Sequence, residues 1–233
     1  MKLGIMQPYF FPYIGYWQLM NAVDRYVIYD DVAFIKNGWI NRNRILVHGA
    51  PCYFRLPTVG AGSFVMINEI KLSTEKKLFD KLLRSLETAY GKAPFFAETM
   101  PLAESVITCG SEYMADLLEF QIRAMAKHLG MNTEILVSSR DVVKNTELHG
   151  QEKGIDICCN LGATEYYNAI GGMELYDKED FAAKNIKLSF VKTNDIVYRQ
   201  YKNDFVPNLS IIDVLMFNGA EGTRKLLQEF ELV

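Results

Sequence analysis

The first thirty residues constrain the fold most. Lys2 to Met6 is a short apolar run stopped by Pro8, which reads as a buried strand. Two prolines hold an aromatic loop from Gln7 to Pro12, and Ile14 to Ala22 then shows helical spacing of Ile14, Trp17 and Leu19 to Ala22. Arg25 to Tyr29 is strand-like again and ends at Asp30-Asp31. Strand, loop, helix and strand within roughly 30 residues is the size of one βαβ unit, so the chain is expected to open a parallel sheet.

The rest of the chain fits inserted elements followed by a return to βα alternation. Ile40 to Val47 and Cys52 to Leu56 flank His-Gly-Ala-Pro, a pattern that predicts a β-hairpin with a four-residue loop, and Met66 to Leu72 allows another strand. Beyond Ser73, Leu78, Phe79, Leu82, Leu83 and Leu86 form an apolar helical stripe opposite lysines, Asp80 and Arg84. Ser111 to Leu129 predicts a second long amphipathic helix, stopped by Gly130. Thr133 to Val137, Ala163 to Tyr167 and Lys187 to Val191 read as strands, Gln151 to Leu161 as a helix, and two short helices (211–217 and 223–230) close the chain. The expected architecture is a single α/β unit over 1–233, with 38–132 as an inserted hairpin-plus-helix region.

Composition narrows the function classes. The 233 residues carry a net charge of -3, which argues against non-specific attachment to nucleic acid or an anionic membrane. No window approaches the roughly 18 apolar residues of a membrane span. The apolar stretch in MKLGIMQPYFFPY is short and runs into Gln7-Pro8, so no signal peptide is expected. Cys52, Cys109, Cys158 and Cys159 lack CxxC spacing and the three histidines are scattered, so no metal site is expected and a reduced, cytoplasmic protein fits.

Three clusters carry the candidate chemistry. Ten of the 29 aromatic residues lie in the first 39 positions. Most belong to the core, but Gln7, Tyr9, Tyr13 and Tyr16 flank the end of the first strand, where open α/β sheets place ligands. The second cluster is Asp30, Asp31, Lys36, Trp39, Asn41, Arg42, Asn43 and Arg44. A carboxylate there is suited to act as general base or to hold a divalent cation, and Lys36 with Arg42 or Arg44 to hold phosphate or carboxylate. Strand alternation puts Asn41 and Asn43 on one face, suited to sugar hydroxyls, and the arginines on the other. The third cluster is Tyr166 to Gly172, where Asn168, Gly171 and Gly172 let the backbone approach a ligand. Ser210-x-x-Asp213 looks like a nucleophile and base, but reads better as a helix cap.

Together these segments resemble the WbqC-like family: MQPYFFPYIGYWQLM (6–20), YDDVAFIKNGWINRNRIL (29–46), GATEYYNAIGG (162–172), and Tyr198-x-Gln200 with LSIIDVL (209–215). The resemblance spans nearly the whole chain. It implies a place in the synthesis of O-antigen and other surface polysaccharides, including lipopolysaccharide, and a glycyl or other aminoacyl transferase role. Pro12 to Tyr16 also looks like a degenerate HxGH loop of nucleotidylyl-transferase-like α/β proteins, with tyrosines in place of both histidines; this implies a Rossmann-like parallel sheet.

The leading expectation is therefore an enzyme that attaches an acyl or aminoacyl group to an amino-sugar nucleotide. In it Asp31 is the base, Lys36 and Arg42 hold anions, and Gln7, Tyr9, Tyr16, Asp30, Trp39, Asn41, Asn43, Asn168, Gly171 and Gly172 complete the site. An ATP/Mg²⁺-dependent adenylating ligase or nucleotidyltransferase and a non-catalytic sugar-nucleotide-binding protein are the alternatives. An acyl donor or ATP is the expected co-substrate.

Overall fold

The structure, a computed structural model, describes residues 1–202 and 204–233. The chain runs through β1 (Lys2–Met6), α1 (Ile14–Asn21) and β2 (Arg25–Ile28). It then leaves the sheet for an excursion. This contains the hairpin β3 (Arg42–Val47) and β4 (Ala50–Arg55), the short pair β5 (Thr58–Val59) and β6 (Lys71–Leu72), and helices α2 (Lys76–Tyr90), α3 (Phe96–Ile107) and α4 (Met114–His128). It returns through β7 (Glu134–Val137), α5 (Ser138–Asp141), α6 (Gly150–Asn160), β8 (Glu165–Ala169), α7 (Lys178–Ala182), β9 (Lys187–Thr193), α8 (Ile211–Leu226) and β10 (Phe230–Leu232).

The main sheet has the order β10-β9-β8-β1-β2-β7, and every pairing is parallel except the edge pair β9–β10. Counted along the chain within this sheet, the order is 3-2-1-4-5-6, and β1 and β8 sit at the point where the winding reverses. Alternation along β1 serves both faces. Leu3 and Ile5 join an apolar cluster with Ile157 of α6 and Phe181 of α7. The other face packs Trp17 and Leu19 of α1 into a larger cluster that also contains Leu46, Leu86, Leu118 and Leu215, so the excursion, α1 and α8 share one core.

Several elements differ from the sequence reading. The hairpin turns through His48 and Gly49 alone, with Val47 paired to Ala50; both turn residues have positive φ (51° and 79°), as a two-residue turn of this hand requires. The run 66–72 divides into a short 3₁₀ turn (Ile67–Glu69) and the two-residue β6. Helix α3 forms despite Pro101 within it. The closing helix ends earlier than its periodicity implies, and β10 bonds to the free edge of β9, with reciprocal amide–carbonyl bonds between Phe190 and Val233. Among the described residues no helix is long and apolar enough to cross a membrane, and no group of three or more His, Cys, Asp and Glu is placed to hold a metal ion.

Candidate functional site

The backbone of the loop after β1 is held by side chains from other elements. Phe10 and Phe11 are fully buried, and Phe10 stacks on Phe54 of β4 at 5.0 Å. The Phe11 amide donates to Gln121 Oε1 (2.8 Å), and Gln121 Nε2 donates to the Tyr9 carbonyl (3.0 Å). Asn43 Nδ2 donates to the carbonyls of Phe10 (3.3 Å) and Phe11 (2.6 Å), and Ser210 Oγ donates to the latter (2.9 Å). Buried backbone groups in an irregular loop need such partners, and here three side chains from α4, β3 and the start of α8 supply them. Gly15 permits the next turn: a Cβ there would lie 2.2 Å from the Tyr13 hydroxyl and 2.7 Å from Thr193 Oγ1. Tyr13 therefore lies flat across the start of α1.

Two cavities open on either side of this tyrosine. One, of about 390 Å³, is lined by Tyr9, Tyr13, Trp39, Asn43, Arg44 and Asn208. The other, of about 590 Å³, runs from Tyr13 and Ile14 past Thr193, Asn194 and Asp195 to Tyr198, Phe205 and Asn208. Tyr13 and Asn208 belong to both, so the two form one groove with a polar waist. It lies beside the carboxyl ends of β1 and β9. Burial, reinforced by Tyr13 and Tyr16, pushes the Tyr9 phenol well up, so it stays protonated.

Beside the groove, the hairpin presents its arginines on aromatic faces. The Arg42 guanidinium lies 4.6 Å from the Tyr53 ring centre and 6.0 Å from that of Trp39, and Arg44 lies 5.5 Å from Trp39. Arg42 is steadied by the carbonyls of Gly38 (2.8 Å) and Asn37. Arg44 donates to the Asn208 carbonyl (3.2 Å), while its buried Nε has no hydrogen-bond partner among the described residues. Arg42 also reaches a third cavity, of about 460 Å³, with Lys36, Asn41, Arg55, Thr58 and Gly60. Three cations on one concave wall favour an anion.

Two stretches that wall the groove, 194–202 and 204–210, are fastened by a buried acid. Asp213 is fully buried and accepts from Tyr90 Oη (2.9 Å), Tyr198 Oη (2.7 Å) and Gln200 Nε2 (2.7 Å). Gln200 also accepts the Val206 amide and donates to the Val206 carbonyl. Ser210 caps α8 by accepting the Ile212 amide at 3.2 Å, as its sequence position predicts. Asp213 takes no part in a capping box; its carboxylate turns inward instead.

The sequence-derived candidates divide accordingly. Tyr9, Trp39 and Asn43 meet in the groove, and Lys36, Asn41 and Arg42 meet in the third cavity. Asn41 and Asn43, expected on one face, line different cavities, because β3 begins only at Arg42 and Asn43 turns into the Phe10–Phe11 loop. Tyr16, expected to line a pocket, is 1% exposed and packs edge-on against Tyr9, Trp17 and Tyr26. Asp30 is buried and accepts from the Ser139 amide (3.0 Å) and hydroxyl (2.6 Å).

Asp31 pairs with Lys144 at 2.9 Å. Burial pushes its carboxyl up, but the Ser138 hydroxyl beside it, Lys144 and Lys153 outweigh that and hold it below the usual value. Asn168 turns in to Tyr166 Oη (3.0 Å) and to the following amide, Gly171 and Gly172 lie in a 3₁₀ turn, and Gln7 is half-buried; none of these four lines the three cavities. Sequence reasoning passed over Asn208, Arg55, Lys144 and Lys153. Asn208 carried only a Pro-Asn turn signal, and the lysines carried none.

Comparison with known proteins follows the same segments. The model of the WbqC-like protein family matches residues 7–225. The chain is 27% identical over 224 residues to a Mycobacterium tuberculosis protein described as uncharacterized protein Rv1507c, covering 94% of this chain and 95% of that one. No solved structure matches.

Proposed function

Because the chain belongs to the WbqC-like protein family, we propose that it is a transferase of surface-polysaccharide assembly, binding an amino-sugar nucleotide and attaching an acyl or aminoacyl group to it. The observation that carries this reading is the hairpin wall. Arg42 and Arg44, stacked on Tyr53 and Trp39, stand between a cationic cavity and an amide-lined groove. Guanidinium groups suit the diphosphate, exposed indole and phenol faces suit a base or sugar ring, and Asn41, Asn194 and Asn208 suit hydroxyls. The strand order supports a Rossmann-like sheet, in which ligands lie at the carboxyl ends of the strands.

In this reading Asp31, which lines none of the three cavities, acts as base only where the amine end of the ligand reaches beyond them and Lys144 releases the carboxylate, since a salt-bridged carboxylate is a weak acceptor. A second reading, a sugar-nucleotide-binding protein without turnover, is favoured by one observation: Asp195 is the one carboxylate among the described residues lining the three cavities, and no Ser, Cys or His lines them.

Calorimetric titration with nucleotide-linked amino sugars and with the bare nucleotides tests the binding. The sugar nucleotide should bind saturably, and Arg44→Ala should weaken it by roughly tenfold or more, as the loss of a charged hydrogen bond implies. Mass spectrometry of the sugar after incubation with acyl thioesters, or with amino acids plus ATP, then separates transferase from binding protein. Turnover unchanged in Asp31→Asn removes Asp31 as the base. No saturable binding of any amino-sugar nucleotide refutes both readings.

A further inference from the structure

One stretch of the chain departs from its acidic average. The 37 residues between Asp31 and Glu69 contain no Asp or Glu, where the density of the whole chain would place about four, and they hold Lys36, Arg42, Arg44 and Arg55. The net charge of -3 argues against attachment by the surface as a whole, but it hides this one cationic span. The acids that border it are occupied: Asp31 pairs with Lys144, Glu69 accepts the Met66 amide (3.3 Å), and Glu112 pairs with Lys71 at 2.6 Å. Lys36 and Arg55 are both exposed.

The same span carries large apolar side chains out into water. Phe64 is 99% exposed, Val59 57% and Ile35 53%. One such residue would be ordinary, but the backbone gathers these three. The Phe34 amide donates to the Val65 carbonyl (2.9 Å), Ala33 bridges to Met66, and Phe34, Lys36, Thr58 and Gly60 line the third cavity together with Arg42 and Arg55. Ile35, Val59 and Phe64 themselves line none of the three cavities, so they are no part of the ligand-binding walls described above.

We infer that this face docks the protein on an anionic lipid bilayer, with Phe64, Val59 and Ile35 entering the headgroup layer and Lys36 and Arg55 lying against the lipid phosphates. Charge complementarity selects the occupant, since a cationic span free of acids is attracted to an anionic surface. A bilayer receives a protruding phenyl ring without a matching pocket, whereas a protein partner has to supply one. Val59 and Ile35 offer a nucleic acid no ring on which a base could stack. The docking does not depend on what the groove binds.

Sedimentation of the full chain with vesicles tests this, using phosphatidylcholine alone and phosphatidylcholine mixed with phosphatidylglycerol. The chain should partition onto the vesicles that contain phosphatidylglycerol, and less so as salt rises. Phe64→Ser should weaken that partition roughly tenfold or more, and Arg55→Gln about fivefold. Phe64→Ser should keep the wild-type thermal midpoint, because the ring is almost wholly in water. No partition onto the anionic vesicles, equal partition onto the neutral ones, or partition unchanged in Phe64→Ser overturns the proposal. Dimerisation without lipid, or tighter binding of a single-stranded oligonucleotide, either one lost in Phe64→Ser, gives the face to another occupant and overturns it as well.

Discussion

Asp31 and Asp213 are both withdrawn from water, and their surroundings push them in opposite directions. Asp31 has a cation on it, so its native carboxyl titrates below the unfolded value of about 4. The stability this confers is complete above about pH 4 and is lost as pH falls through the lowered native value. Lys144→Met should therefore cost about 3 kcal/mol near neutrality, the low end for stripping one partner from a buried pair. Urea unfolding followed from pH 7 downward should show that deficit shrinking only as the pH falls through the lowered native value, where Asp31 takes up its proton in the wild type as well.

Asp213 has only neutral donors. Burial pushes its carboxyl above the ordinary value, against the three hydrogen bonds from Tyr198, Gln200 and Tyr90. Between the unfolded and native values the folded chain keeps a proton that the unfolded chain has lost, so this group's contribution falls as pH rises through that window. Tyr198→Phe removes one donor and should cost about 1.5–3 kcal/mol at pH 7. The cost should be smaller near pH 4, where more of Asp213 is protonated. Equal deficits at both pH values would mean that the phenol contributes only packing. At this scale the sequence was partly legible. Tyr9 and Arg42 stood out because aromatic and basic residues crowded one end of the chain. Asp213 read as a cap because its partners, Tyr90 and Tyr198, are distant in sequence.

At the scale of elements, α8 shows how a single residue fixes where a helix breaks. Gly219 has φ 64° and ψ -177°, a conformation reserved almost entirely for glycine, and a Cβ there would lie 2.6 Å from the Phe95 ring. The helix breaks at this point, and its first half delivers Ser210 to the Phe11 carbonyl and Asp213 to the stretch 194–202. Gly219→Ala should destabilise the chain by about 1–3 kcal/mol from the backbone alone. Gly171→Ala, where nothing lies within 4 Å of the new methyl, should stay within about 0.5 kcal/mol of the wild type. Thermal or urea unfolding of the two variants makes the comparison.

The helical pause around Gly219 could be read from the sequence, as could β1, α1, β2 and α4, because their periodicity is strong and Pro, Gly or Asp stands within a few residues of their ends. Of the elements that escaped, two did so for reasons the structure makes plain. Pro101 hides α3 behind a residue that usually ends helices, and β10 exists only because β9 offers it an unpaired edge. The first misleads within a local window, and the second lies outside any local window.

At the scale of the molecule, the question is whether the excursion between β2 and β7 folds with the sheet or beside it. Leu46, Leu86 and Leu118 lie in one apolar cluster with Trp17 of α1 and Leu215 of α8, and Asn43 and Gln121 hold the backbone of the β1 loop from outside the sheet. Detaching the excursion would expose both sides of that cluster and leave the loop's buried carbonyls unpaired, so partial unfolding should be too costly to populate. The two tryptophans sit on either side of the boundary: Trp17 is fully buried in α1, while Trp39 is 44% exposed beside the hairpin. Labelling with 5-fluorotryptophan should give two ¹⁹F resonances, assigned with Trp39→Phe, that lose their native positions at the same urea concentration and together with the far-ultraviolet circular dichroism. A Trp39 resonance that melts first would make the hairpin and its helices a unit of their own. The groove, whose walls come from both sides, would then open whenever that unit detached.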